Sequence, residues 1–104
     1  MDDLHSREGT QDLIARLRAS EAGAESPHWR RVHAANVQAA IELLNAYTDR
    51  HARAGALDLV ADLRARMAGV PYYDWCRVEV ATLQAAGDLL ETYLNEAGPL
   101  KRGR

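Results

Sequence analysis

Between residues 29 and 47 the chain reads WRRVHAANVQAAIELLNAY, with apolar residues returning every three or four positions. Turned through about 100° per residue, Trp29, Val32, Ala39, Ala40, Leu43, Leu44 and Tyr47 gather on one side, as the packing face of a core helix should. The pattern then returns. Residues 75 to 93 read WCRVEVATLQAAGDLLETY, and Trp75, Val78, Ala85, Ala86, Leu89, Leu90 and Tyr93 occupy the equivalent places. The likeness also runs upstream, where DLIARLRASEAG (12–23) lies on DLVADLRARMAG (58–69). Aligned without gaps, residues 10–47 and 56–93 agree at close to half of their positions, far more than shared helical composition would give.

This pattern predicts an all-α fold. A helix is expected over 10–22, with Leu13, Ile14 and Leu17 on one face and Gly23 as its stop. Ser26 and Pro27 suit the N-cap and first turn of a second helix, which continues to about Arg53 before Gly55. The second unit repeats the plan, with a helix over 57–68, Gly69 as stop, Asp74 as N-cap, and a helix over 75–97 before Gly98-Pro99. Few residues are β-branched and no strand-like alternation stands out. Each unit therefore reads as a helical hairpin. Two repeats are too few for an open solenoid, so the expected architecture is a tandem-duplicated hairpin forming a pseudo-two-fold four-helix bundle, or an intertwined dimer of such chains. The 104 residues suit one domain, 1–104, with flexible tails over about 1–9 and 98–104.

The two copies also differ instructively. Arg31, Ala35, Gln38 and Glu42 fall close together on the predicted helix, opposite the core face, and recur as Arg77, Ala81, Gln84 and Asp88. Either this stripe is a second contact surface, with Arg31, Gln38, Arg77 and Gln84 supplying directional donors, or it survives from a recent duplication. Ile41/Gly87, Ala34/Val80 and Arg30/Cys76 have diverged, so the symmetry should break there. His33 and Glu79 are equivalent, and a hydrogen-bonded pair between them is one expectation; a solvated flank is the other.

Charge narrows the partner class. Thirteen basic and 15 acidic side chains leave a net charge of −2 with the signs interspersed, which does not favour nucleic acid. The single cysteine, Cys76, allows no intramolecular disulfide, and no apolar run approaches membrane-spanning length. No secretion signal is recognisable at the start, and a cytoplasmic location without membrane contact is expected.

Motifs for chemistry are lacking. There is no glycine-rich phosphate loop, no Cys-x-x-Cys and no His-Glu-x-x-His. On a helix His28 and His33 would point well apart, so no metal site is expected; no cofactor is implied and no catalytic residue stands out. Cys76 suits a small residue at a helix start. More distinctive is GVPYYDW (69–75), which replaces GAESPHW of the first unit. Tyr72, Tyr73 and Trp75 either anchor an interface or cap the end of the bundle. The sequence thus points to a small non-enzymatic helical protein, a regulator, inhibitor or assembly factor that binds a protein partner or a second copy of itself. Its candidate contact residues are Tyr72, Tyr73, Trp75, Arg31, Gln38, Arg77 and Gln84. The alternative is a nucleic-acid-associated regulator using an arginine-rich edge of Arg30, Arg31, Arg77 and the Lys101, Arg102, Arg104 tail.

Overall fold

In the computed structural model, which describes residues 4–22 and 28–100, the chain is mostly helical, with helices Arg7–Glu21 (α1), Ala34–Arg50 (α2), Ala56–Met67 (α3) and Val80–Ala97 (α4). The all-α expectation is corrected at two places. Trp29–His33 (β1) and Trp75–Glu79 (β2) are strands, paired antiparallel in a two-stranded sheet, where the sequence pattern had placed helical turns. The physical reason is ambiguity of period. A Trp-to-Val spacing of three suits a helix, yet in five residues Val32, Cys76 and Val78 can equally turn inward while Trp29, Arg31, Trp75 and Arg77 turn out. The choice is made by a partner strand far away in the chain, which local periodicity does not register.

The strands run directly into helices, so the strand residues serve as caps. His33 is the N-cap of α2, its Nδ1 accepting from the Ala35 amide at 3.2 Å, and Glu79 stands at the N-cap of α4. Asp74, expected as that cap, instead accepts from the Trp75 amide through its carboxylate at 2.8 Å, while its carbonyl accepts from the Ala34 amide at 2.8 Å. Gly69, at φ +77°, follows the end of α3 in the left-handed region, as a helix stop requires. Ser6 caps α1 by accepting from the Gly9 amide at 3.0 Å, and the buried Thr10 hydroxyl donates to the Leu4 carbonyl at 3.0 Å. Residues 7–9 are thus helical where a tail was expected. At the other end the Tyr47 hydroxyl donates to the Gly98 carbonyl at 2.8 Å, and Leu100 packs on the core. Gly23, Ser26, Pro27, Lys101, Arg102 and Arg104 lie outside the described residues.

Packing also departs from the expected hairpins. Helix α1 packs chiefly on α4 and α3 on α2, so the helical hairpin of the fold is α2–α3, which spans the boundary between the repeats. The core between them holds Leu13, Leu17, Val37, Leu43, Leu44, Leu63, Leu83 and Leu90, all buried. Tyr47 and Tyr93, repeat-equivalent residues, stack at 5.0 Å with planes 6° apart, and the Thr48 and Tyr93 hydroxyls lie 3.2 Å apart. Trp29 and Trp75 were expected on this core face but do not join it: Trp29 is half-buried and Trp75 is 51% exposed.

The repeats diverge structurally at Gly87, the counterpart of the buried Ile41. A Cβ at Gly87 would stand 3.0 Å from the Arg18 guanidinium carbon, so the glycine leaves the room in which Arg18 reaches Asp88 at 2.7 Å, with Glu21 and Glu91 nearby. Gly87→Ile should displace that guanidinium. Because the pair is largely exposed, the expected loss is small, about 1 kcal/mol or less in urea unfolding, and Asp88→Asn should add little to it.

Two buried acids predict the alkaline limit of stability. Burial pushes the Tyr47 phenol and the Cys76 thiol above their ordinary values, with Asp74 adding to the effect on Cys76. In alkali the folded chain keeps protons that the unfolded chain has lost, so stability falls as pH rises; below the unfolded thiol value, about 8.5, the contribution is complete. Urea unfolding should therefore show stability level with respect to these groups below about pH 8.5 and declining above it. Tyr47→Phe should cost about 0.5–1.5 kcal/mol at neutral pH through the lost bond to Gly98, and should flatten the decline above about pH 10.

Candidate binding face

The sheet register pairs Trp29 with Glu79, Arg31 with Arg77 and His33 with Trp75. Exchanging the two repeats maps this register onto itself, with Arg31 and Arg77 at its centre. The ladder continues beyond the strands at both ends, the Ala34 amide donating to the Asp74 carbonyl and the Val80 amide to the His28 carbonyl, each at 2.8 Å. Bonded pairs alternate with unbonded ones along an antiparallel ladder, so Arg31 and Arg77 form an unbonded pair, the kind in which side chains stand closest. Both are exposed. Like charges directly opposite one another are unfavourable, and neither arginine forms an ion pair with a described residue, whereas Arg16, Arg18, Arg53 and Arg66 each do.

Tryptophan holds these two cations in place. The Arg31 guanidinium lies 5.5 Å from the Trp75 ring centroid and that of Arg77 lies 5.6 Å from Trp29, each within cation–π range across the strands. Around Trp29 the site is closed further by Arg66, 4.8 Å above the ring, whose guanidinium also reaches Glu79 at 3.4 Å. Around Trp75 it is open. His33 meets that ring edge-on at 5.3 Å, and Tyr72 and Tyr73, 67% and 70% exposed, stand T-shaped to one another at 5.6 Å on the preceding turn. A cavity of about 400 Å³ runs between the two tryptophans, lined by Arg31, Arg77 and Asp74 among others.

The expected contact residues therefore separate into two groups. Arg31, Arg77, Trp75, Tyr72 and Tyr73 come together on and beside the ribbon. Gln38 and Gln84 do not join them: Gln38 lines a groove between α2 and α3 with Ile41 and Met67, and Gln84 donates to Glu21 of α1 at 2.8 Å. The continuous Arg/Gln stripe required a helix through Arg31, and the strand breaks it. Arg30 is turned aside, its Nε donating to the Glu21 carbonyl at 2.9 Å, and its counterpart Cys76 is buried. The His33–Glu79 pair is corrected as well, since the register sets these residues at opposite ends of the ribbon.

Sequence reading missed Trp29, Arg66 and Glu79 as members of this face. The signal that would have found Trp29 was its recurrence as Trp75 beside a recurring arginine; Arg66 and Glu79 carried no such mark. Among the described residues no group of three or more His, Cys, Asp or Glu side chains is placed to hold a metal ion, and no described helix is long and apolar enough to cross a membrane. Compared with models of protein families, with curated proteins and with solved structures, the chain matches none.

The opposed arginines generate a direct test. A double-mutant cycle with Arg31→Ala and Arg77→Ala should give an unfavourable coupling of about 0.2–1 kcal/mol in urea unfolding at low salt. The coupling should shrink as the salt is raised to about 0.5 M, because these charges are exposed to solvent.

Proposed function

We propose that the chain is a small cytoplasmic, non-enzymatic interaction protein, a regulator, inhibitor or assembly factor, that binds a protein partner through the outer face of its ribbon and the adjoining tyrosine turn. The observation that carries this reading is the open cluster of Tyr72, Tyr73 and Trp75, between 51% and 70% exposed, beside Arg31 and Arg77, which form no ion pair with a described residue. Trp, Tyr and Arg are the side chains that most often dominate protein interfaces, and large apolar rings left in water are stabilised by being covered. The same reading takes the ribbon to be the product of a tandem duplication. In support, repeat-equivalent residues meet twice along the molecule, Arg31 with Arg77 and Tyr47 with Tyr93.

A nucleic-acid reading is favoured by one observation: a two-stranded ribbon has a width that the major groove of DNA admits, and a central arginine pair would face the bases. Against it stand the net charge of −2 and the carboxylates of Asp74 and Glu79 near the two ends of the ribbon.

Affinity capture from the host lysate, with and without nuclease and at two salt concentrations, separates these readings. Protein binding predicts a stoichiometric protein, or a second copy of the chain, that survives nuclease and is lost with Tyr72→Ala/Tyr73→Ala. Capture abolished by nuclease would contradict it.

A further inference from the structure

We infer that the ribbon face takes an acidic peptide segment, with carboxylates set between Arg31 and Arg77 and an apolar side chain beside Trp75 and Tyr72. This rests on the protein-binding reading and names the chemistry of the partner. Directly opposed residues of an unbonded pair have Cβ atoms about 4.5–5.5 Å apart, so one carboxylate, or two neighbouring ones, can reach both guanidiniums. A carboxylate there converts a repulsive pair into a bridged one. Stacking on Trp75 and Trp29 restrains the guanidiniums beforehand, which reduces the ordering cost of binding and presents a planar fork that suits a carboxylate.

The surroundings select a peptide over a polyanion. Negative charge is welcome only at the centre of the ribbon, because Glu79 occupies one end, engaged with Arg66, and Asp74 occupies the other, with its carboxylate on the Trp75 amide. Duplex DNA carries a charge about every 1.7 Å along its axis and would meet both acids. A peptide can place acids opposite the arginines and neutral residues elsewhere. The tyrosines and Trp75 adjoin the open end, where an apolar side chain would cover them.

The test is selection of peptides of about twelve residues from a random display library on the full chain, followed by NMR titration. Trp29 and Trp75 are the two tryptophans of the chain and both lie on this face, so their indole signals report on it directly. The selected peptides should be enriched in Asp or Glu together with an apolar residue, and should shift both indole signals. Affinity should fall at least tenfold in Arg31→Ala/Arg77→Ala. Replacing the peptide acids by Asn or Gln should cause the same loss on the unaltered chain, which keeps the test independent of how the double variant folds. Peptides that shift the indoles without acid enrichment would overturn this inference and leave the protein-binding reading standing. No peptide that shifts them would overturn both. A DNA duplex that shifts the indoles and displaces the peptides would overturn the inference in favour of nucleic acid.

Discussion

Everything in this fold depends on the antiparallel pairing of Trp29–His33 with Trp75–Glu79. A ribbon of two five-residue strands is marginal by itself. It persists here because Val32, Cys76 and Val78 are buried in the helical core, and because each strand runs without a break into a helix, α2 or α4. Once the strands pair, the starts of those two helices are fixed at opposite ends of the ribbon. The remaining helices then cover them across the repeats, α3 on α2 and α1 on α4. Inter-strand hydrogen bonds thus hold together at one end what the stacked Tyr47 and Tyr93 rings hold within the helical layer.

That pairing has an electrostatic cost, and its position is informative. Because the register is centred on Arg31 and Arg77, the repeated arginine of each unit is forced against its own counterpart. The tryptophans offset part of this by stacking, but no described carboxylate neutralises it. Elsewhere the two repeats differ in ways that satisfy groups locally. Gly87 gives Arg18 room to reach Asp88, and Cys76, where the first repeat has Arg30, is a small buried group on the inward side of β2. The two ends of the ribbon are also unlike: Arg66 covers Trp29, while Trp75 stays open beside Tyr72 and Tyr73.

Most of the helical content was legible in the sequence because the interiors of α2 and α4 carry an apolar period over several turns, from Val37 to Tyr47 and from Leu83 to Leu94. The strands were not legible, since five residues with one inward valine fit either period and the deciding contact lies in the other repeat. Misreading them as helix also misplaced Trp29 and Trp75 and joined Gln38 and Gln84 to a stripe that does not exist. The same centre explains the failed His33–Glu79 pair: equivalent residues meet only at the middle of the register, and these two stand at its ends. Arg31, Arg77 and the Tyr72-Tyr73-Trp75 turn do lie together, but for another reason than the helical stripe that had joined the arginines to Gln38 and Gln84: the strand register sets the arginines opposite one another, and the turn, marked only by its aromatic residue types, leads into β2.

The central claim is that the two repeated segments meet as strands about Arg31 and Arg77. The most direct measurement is the nuclear Overhauser spectrum of the isotopically labelled chain. Strand pairing predicts a strong cross-peak between the Hα protons of Arg31 and Arg77, as expected of an unbonded antiparallel pair, with extended sequential connectivities through 29–33 and 75–79. Continuous helical amide-to-amide connectivities through those segments, without the cross-peak, would contradict the account.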